Sequence, residues 1–225
     1  MRCFALGLTV LALHTIGPAR PADAAVAPIG AHSMLQLNDP RSFMEAMFAE
    51  GVAMHAAAIR LDVAPALMFT NPSQPPDFSG LDEVVALAQR YHLRVVGDLL
   101  TIPSWMAQCA TPTSDPRRCA TDDLAGYASV VGQIVSRADP VIRDWEVWNE
   151  PDTAEFFDGT PQQYAFMLRA AHDAIKSVDP ADNVLLGGIS AVTGTGWLAQ
   201  VLATPGADAI HAFDTANLHE RGDLW

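Results

Sequence analysis

The chain has 225 residues, of which 50% are hydrophobic and 17% are charged. This length and composition suit one domain, or most of one, with a sizeable core, and they exclude global disorder. Acidic residues outnumber basic ones by 26 to 13, which gives a formal net charge of -13. Nucleic acid is therefore excluded as a partner, because phosphate binding needs a basic face, and anionic membrane surfaces are disfavoured. Neutral sugars are compatible with this charge.

The first residues have the pattern of a secretory signal peptide. Arg2 precedes an apolar stretch at 3–16, which is shorter than the about 20 residues that a membrane span needs. A Gly-Pro pair at 17–18 ends the stretch, and an Ala-Asp-Ala segment at 22–24 offers a cleavage site. We expect residues 1–24 to be removed on export, to the periplasm or the exterior. After cleavage no membrane association is expected; an uncleaved anchor is the alternative.

Two cysteines remain after that cleavage. Cys109 and Cys119 flank a segment with two prolines, at 110–118, which has the composition of a loop. In an oxidising compartment such a pair is most simply a disulfide, and two free thiols are the alternative. A zinc site is not indicated, because no Cys or His pair with ligand spacing accompanies them.

Short apolar runs alternate with helical patterns along the chain, which predicts βα units around a parallel sheet. The predicted strands cover residues 28–35, 55–63, 94–100, 141–148, 184–189 and 212–218. The helical patterns fall at 43–50, from 79 onward, around 124–134, from 160 onward and at 197–202.

Two of these helices have capping signals at their start. Thr160 is followed by Pro161 and, three residues after the cap, by Gln163, which is a capping box with proline in the first turn. Ser79 and Asp82 have a similar spacing. We therefore expect the two helices to begin at these residues.

Six βα-type units in order predict a C-terminally incomplete (β/α)8 TIM barrel over residues 25–225. A closed barrel has eight units and typically needs about 250 residues. An open doubly wound sheet is the structural alternative, but no Gly-rich phosphate loop follows the first predicted strand.

The segment 145–152, Trp-Glu-Val-Trp-Asn-Glu-Pro-Asp, lies where the fourth predicted strand ends. In βα barrels this end of the strands is the catalytic face. A proline at position 151 cannot extend the ladder, so Glu150 would project from the rim toward the axis. Glycosidic bond cleavage needs a carboxylic acid that protonates the leaving oxygen, and Asn149 can donate to a sugar hydroxyl. Trp148 would supply an apolar wall.

Trp148-Asn149-Glu150-Pro151 resembles the acid/base signature of the clan A glycoside hydrolases, a (β/α)8 group. The wider segment 146–152 is most similar to family 39, which contains β-xylosidases and α-L-iduronidases; the cellulase-like family 5 is the other candidate. The resemblance spans residues 29–219. It implies a retaining enzyme that hydrolyses O-glycosidic bonds in poly- or oligosaccharides, with Glu150 as the acid/base and without a metal or organic cofactor.

Three further positions fit the resemblance. Arg60 ends the second predicted strand, where the clan has an arginine that supports the nucleophile. Trp105 follows the third strand and would stack on a sugar ring. His219 ends the sixth, where the clan often has a histidine near the substrate. Simpler roles remain open: Arg60 as an ion-pair partner of Asp62 or Glu146, Trp105 as loop packing, and His219 as a satisfied histidine. Glu146 itself is expected to be a buried structural carboxylate.

The clan's nucleophile, a Glu at the end of the seventh strand, has no counterpart before the last residue, Trp225. Glu220 is a weak candidate, because it follows His219 on the sixth strand. The sequence therefore suggests a truncated chain. The alternative is a non-catalytic sugar-binding protein, with Trp105 and Trp148 as stacking platforms, or an inactive fragment. An esterase-like hydrolase is set aside, since no Gly-x-Ser-x-Gly elbow is present.

Overall fold

The computed structural model describes residues 30–36, 39–190 and 194–219 of the chain. Six parallel strands form one sheet, in which each strand pairs with the next one along the chain. The strands are β1 (Gly30–Gln36), β2 (Ala58–Val63), β3 (Arg94–Leu99), β4 (Asp144–Asn149), β5 (Asn183–Ser190) and β6 (Leu218–His219). The predicted signal peptide at 1–24 and Glu220 lie outside the described residues.

At least one helix separates each pair of consecutive strands. The helices are α1 (Arg41–Ala53), α2 (Pro65–Met68), α3 (Ser79–Tyr91), α4 (Leu124–Ala138), α5 (Pro161–Val178) and α6 (Gly194–Leu202). None of the helices in the described part of the chain has the length and apolar character that crossing a membrane requires.

The order of the strands distinguishes the two predicted architectures. In a doubly wound sheet the strand order reverses at a switch point, whereas here it follows the chain from β1 to β6 without reversal. Sequential parallel strands with intervening helices are the arrangement of a TIM barrel. The prediction of a partial barrel is therefore confirmed at this level.

The predicted sixth strand at 212–218 is wrong for most of its length, since β6 consists of two residues. The preceding residues form a loop that meets β5 through single hydrogen bonds. Asp214 donates its N–H to the carbonyl of Val184 at 2.8 Å, and Leu186 donates to the carbonyl of Thr215 at 2.9 Å. Isolated contacts of this kind replace a continuous ladder.

The helix faces predicted from the apolar spacing are buried. On α4 the side chains from Tyr127 to Ala138 that follow this spacing enter the core, and α5 packs beside it. The capping box at Thr160 is confirmed, because its hydroxyl accepts the N–H of Gln163 at 3.2 Å and its own N–H donates back to that side chain at 3.0 Å. The cap predicted at Ser79 is wrong. Ser79 is already helical, and its N–H donates to the carboxylate of Asp77.

The predicted disulfide is confirmed. Cys109 and Cys119 are bonded, with their Cα atoms 4.8 Å apart, and close the loop that follows β3. An antiparallel bridge between Gln108 and Ala120 lies beside the bond. The disulfide therefore fixes a loop at the carboxyl end of the sheet.

The register brings polar side chains together at that end. Asp98 of β3 lies opposite Asp62 of β2 on one side and opposite Glu146 of β4 on the other. Asn149 of β4 lies opposite Gly188 of β5. Because parallel strands end at the same edge of a sheet, the residues that follow β2, β3 and β4 share one rim.

Candidate active site

Arg60, on β2, lies at the centre of a cluster of carboxylates at this rim. Its Nε atom is 2.5 Å from Oε2 of Glu146, and its Nη2 atom is 3.0 Å from Oε1 of the same side chain. Nη2 also lies 2.9 Å from Oδ2 of Asp98, and Nη1 lies 4.0 Å from Asp62. Both Glu146 and Asp98 are fully buried. Of the alternatives left open for Arg60, the ion pair with Glu146 is therefore present, and Glu146 is a buried, hydrogen-bonded carboxylate as expected.

The cluster perturbs the titration of its members. Burial would lower the pKa of Arg60, but the hydrogen bond to Glu146 and the charge of Asp98 raise it above its ordinary value. Burial, followed by the charge of Glu146, raises the pKa of Asp98 well above its ordinary value, although Arg60 opposes this rise. Burial likewise raises the pKa of Asp62. The single positive charge of Arg60 thus faces three carboxyl groups, those of Asp62, Asp98 and Glu146, and it cannot balance all three when they are ionised.

Arg60 also sets the orientation of Asn149. Its Nη2 atom donates to Oδ1 of Asn149 at 2.9 Å. A guanidinium has only donors, so the amide must present its oxygen to Arg60. The NH2 group of Asn149 therefore points away from Arg60, and the side chain is held as a donor at the rim.

The end of β4 has an irregular backbone. Trp148 has a φ of 75° and Glu150 a φ of 41°. Left-handed values are unusual for side chains of this size and persist only where the surrounding structure holds them. Trp148 is held by its indole N–H, which donates to the carbonyl of Phe156 at 3.1 Å, and by an edge-on contact with Phe157.

Tyr164 of α5 also supports this irregular strand end. Its hydroxyl donates to the carbonyl of Val147 at 2.8 Å and accepts the N–H of Gly187 at 3.0 Å. The approach of β4 to β5 is so close here that a Cβ on Gly187 would lie 2.5 Å from the carbonyl oxygen of Val147. A buried tyrosine thus joins the backbones of two neighbouring strands, on β4 three residues before Glu150.

His219 of β6 lies between two carboxylates. Its Nδ1 atom is 3.1 Å from Oε1 of Glu150, and its Nε2 atom is 3.8 Å from Oε1 of Glu146. Gly188 leaves room for the ring, since a Cβ there would lie 2.1 Å from Nε2 of His219. The N–H of Gly188 donates to Oε1 of Glu146 at 2.9 Å. Glu150 is 6% exposed, so its carboxylate is nearly enclosed while contacting an imidazole.

The structure brings together four of the residues singled out in the sequence. Arg60, Asn149, Glu150 and His219 form one connected group at the carboxyl end of the sheet, with Glu146 beneath them.

The two tryptophans singled out in the sequence, Trp105 and Trp148, do not belong to this connected group. Trp148 is fully buried in the core, so the prediction that it is a stacking platform for a sugar is wrong, whereas its role as an apolar wall beside Glu150 stays a prediction. Trp105 is 41% exposed in a short 3-10 turn after β3, and its indole N–H donates to the carbonyl of Phe69 at 2.8 Å. A ring that is anchored through its N–H and still half-exposed can serve in loop packing and in stacking alike.

Sequence reasoning missed three members of the site. Asp98 was detectable in principle, because it is a charged residue inside the apolar run at 94–100. Gly188 and Tyr164 carry no such signal. Their roles depend on how closely β4, β5 and α5 approach one another, and sequence spacing does not report this distance.

The fold is that of the TIM-barrel glycoside hydrolases. A family 39 glycoside hydrolase from the gut symbiont Bacteroides cellulosilyticus WH2 has a TM-score of 0.65 and 19% identity, and the match covers 85% of this chain and 38% of that one. A family 30 subfamily 8 xylanase from Clostridium acetobutylicum has a TM-score of 0.59 and 17% identity, over 87% and 50% of the two chains. An exo-β-1,4-mannosidase from an Opitutaceae bacterium has a TM-score of 0.58 and 17% identity, over 72% and 32%.

At these identities the likeness shows the fold, and the predicted resemblance to clan A glycoside hydrolases is confirmed at that level. The chain spans half or less of the length of each of these three proteins. No protein-family model and no curated protein sequence matches it.

Proposed function

We propose that the protein is a retaining O-glycoside hydrolase that acts on neutral poly- or oligosaccharides, with Glu150 as the general acid/base. One observation carries this proposal: the carboxylate of Glu150 lies at the carboxyl end of a TIM-barrel sheet, 3.1 Å from Nδ1 of His219. This is the face on which TIM-barrel enzymes place their catalytic groups. The neighbouring Asn149 is held by Arg60 with its donors away from the cluster.

The reaction proceeds by double displacement. In the first step Glu150 gives its proton to the glycosidic oxygen while the bond between that oxygen and C1 breaks, and a second carboxylate forms an ester with C1. In the second step the Glu150 carboxylate takes a proton from water, whose oxygen attacks C1 and releases the second carboxylate. Glu150 is then protonated again, and the anomeric configuration is retained.

Asn149 binds the sugar in this proposal. Because its oxygen accepts from Arg60, its N–H donors are available to the 2-hydroxyl of the sugar bound next to the cleaved bond. Hydrogen bonds to this hydroxyl strengthen in the transition state and contribute several kcal/mol. Trp105 is assigned a stacking role at the same rim, on the strength of its half-exposed ring.

The second carboxylate of a retaining enzyme stands about 5–5.5 Å from the first. Glu146 and Asp98 are unsuited to this role, since both are fully buried and both are held by Arg60. The proposal therefore places the nucleophile outside the described residues.

A non-catalytic sugar-binding protein is the second candidate. The observation that favours it is that the buried carboxylates of the described rim are occupied by Arg60, while Asn149 and Trp105 remain suited to binding. Calorimetry with oligosaccharides separates the candidates: binding without release of reducing ends supports this one.

Glu150→Ala tests the catalytic assignment. Aryl xylosides, glucosides and mannosides with a good leaving group are offered to the wild type and the variant, with and without sodium azide. We expect the variant to lose most of its rate and to recover it with azide, giving a glycosyl azide of unchanged anomeric configuration, because azide needs no general base. Glu155→Gln is the matched control, since Glu155 is an exposed carboxylate in the same loop. An azide-insensitive Glu150→Ala variant with wild-type rate would exclude the proposal.

We further propose that the protein is exported to the periplasm or the exterior. The bond between Cys109 and Cys119 supports this, because disulfides persist in oxidising compartments. The mass of the secreted chain tests whether residues 1–24 are removed.

A further inference from the structure

A second group of acidic side chains lies at the opposite end of the sheet from Glu150. Asp139 directly follows α4, Asp179 directly follows α5, and Asp182 lies in the loop before β5. One carboxylate oxygen from each of these residues lies within 4.8 Å of the others. Two loops that are remote in sequence thus direct three carboxylates to one point.

Asp182 is the unusual member of this group. The residue is fully buried, and neither of its carboxylate oxygens has a partner with hydrogen-bond geometry among the described residues. A buried carboxylate without hydrogen bonds is costly, because burial disfavours the charged form. Burial, followed by the charge of Asp179, raises the pKa of Asp182, while Arg143 and the adjacent indole N–H of Trp145 oppose the rise.

The positive charge around the group does not neutralise it. Arg143 donates through Nη2 to Oδ2 of Asp179 at 2.8 Å, and the other oxygen of that carboxylate accepts the N–H of Ala181. Lys176 contacts the main-chain carbonyl of Asp182 at 2.5 Å, and its side-chain ion pair is with Asp214.

Helix ends add to the negative potential. Asp139 and Asp179 are the C-cap residues of α4 and α5, helices of 15 and 18 residues. The carboxyl end of a helix attracts cations, because its last carbonyl groups lack intrahelical partners. Two such ends converge on the carboxylates, so the field there favours positive charge.

We infer that Asp139, Asp179 and Asp182 form a calcium-binding site. Carboxylate oxygens are the ligands that hard divalent cations prefer. Oxygens up to 4.8 Å apart can touch one ion with bonds of about 2.4 Å, which is the calcium distance; the about 2.0–2.1 Å bonds of magnesium are too short for the full span. Asp139 is exposed, so water can complete the coordination from that side.

Such an ion would join the loop between α4 and β4 to the loop between α5 and β5. These loops lead into the strand that carries Glu150 and into its neighbour. The site lies at the far end of the sheet from the proposed catalytic carboxylate, so its role is to stabilise the fold. Its presence does not depend on the proposed glycosidase activity.

Calcium binding is tested on the whole chain after removal of metal with a chelator. Equilibrium dialysis should find one calcium ion per chain, and at about 100 times the Kd the Tm should rise by about 5–10 °C. Terbium should bind at the same place and luminesce on tryptophan excitation, because Trp145 lies beside Asp182. Calcium should displace this signal, and magnesium should do so at least 10-fold less effectively.

Asp182→Asn and Asp139→Asn should each weaken calcium binding at least 10-fold. Asp139 is exposed, so its variant remains informative even where the Asp182 variant fails to fold. Asp82→Asn is the matched control, because Asp82 is an exposed carboxylate paired with Arg137 elsewhere on the surface; its affinity should equal that of the wild type. Absence of a calcium-dependent Tm shift in the wild type, or wild-type affinity in the Asp139 variant, overturns the assignment.

Discussion

Arg60 and Asn149 are joined by a hydrogen bond of 2.9 Å that crosses from β2 to β4 over the strand between them. The same guanidinium holds Glu146, so the position of the amide depends on a buried ion pair. The residue proposed to bind the sugar is therefore oriented by a residue two strands away. This coupling can be tested separately from the chemistry of Glu150.

Arg60→Lys is expected to lower kcat/KM by about 100-fold or more. An ammonium cannot hold Glu146 in a bidentate pair and also reach the oxygen of Asn149, so the amide loses its orientation. The loss should fall mainly on kcat if the amide acts in the transition state. Arg94→Lys is the control, because Arg94 is exposed and pairs with Asp144 at the other end of the sheet. Equal kinetics in the two variants would contradict the coupling.

Gly188→Ala is expected to displace His219 and to reduce the rate at least 10-fold. The added methyl group would lie 2.1 Å from Nε2 of His219, so the ring must leave its place beside Glu150. Gly132→Ala provides the comparison. Gly132 lies in the interior of α4, where the added carbon would have no atom within 4 Å apart from its chain neighbours and the backbone of the helix itself, so its replacement should raise the free energy of unfolding by about 0.5–1 kcal/mol. Steady-state kinetics and urea unfolding distinguish the two effects.

Asp98→Asn is expected to make the free energy of unfolding less dependent on pH. The pKa of Asp98 is raised by burial and by Glu146, so above the ordinary Asp pKa of about 4 the folded state holds a proton that the unfolded chain releases. The contribution of this group is therefore fully present below about pH 4 and is lost as the pH rises toward the folded-state pKa. Asparagine does not titrate, so the loss should disappear from Tm measurements between about pH 4 and 8.

Asp82 should contribute to the pH dependence of stability with a sign opposite to that of Asp98. The hydrogen bond from Arg137 lowers the pKa of Asp82, so its contribution is present above the ordinary Asp pKa and is lost as the pH falls. The effect should be small, because the pair is exposed.

A Tm profile of Asp98→Asn that parallels the wild type throughout would show that Asp98 does not carry the extra proton.

Loss of the disulfide should lower the free energy of unfolding by about 2–3 kcal/mol, as expected for a short closed loop. Cys109 and Cys119 are separated by 10 positions in sequence. The double replacement by serine should unfold at the same urea concentration with and without a reducing agent, whereas the wild type should lose stability on reduction. If the reducing agent leaves the urea concentration at which the wild type unfolds unchanged, the disulfide does not stabilise the fold.

The parts of the fold that follow from local patterns were predictable. The faces of α4 and α5, the start of α5 at Thr160 and the order of the parallel strands all follow from side-chain spacing and capping. The sixth strand was not predictable from its local pattern, because the apolar run at 212–218 meets β5 through isolated hydrogen bonds and not through a continuous ladder.

The site shows why strand periodicity failed at Trp148. Alternation of side chains assumes an extended backbone at every residue, and it would place Trp148 on the same side as Glu146. The left-handed φ of Trp148 breaks the alternation. The indole is consequently buried against Phe157, and Asn149 meets Arg60 inside the rim. Residue types alone pointed to Glu150 and Asn149, but which neighbours they would meet depended on this one dihedral angle.

The contacts at the rim join residues that lie far apart in sequence and are therefore synthesised at different times. Arg60 and Glu146 are 86 positions apart, and Glu150 and His219 are 69 apart. As the chain leaves the ribosome, the early strands can pair with their neighbours one by one, but the carboxylate at position 150 meets its imidazole only after two further βα units have emerged. Slow translation between β4 and β6 would therefore prolong the time in which Glu150 lacks its partner His219 and a sheet edge stays unpaired.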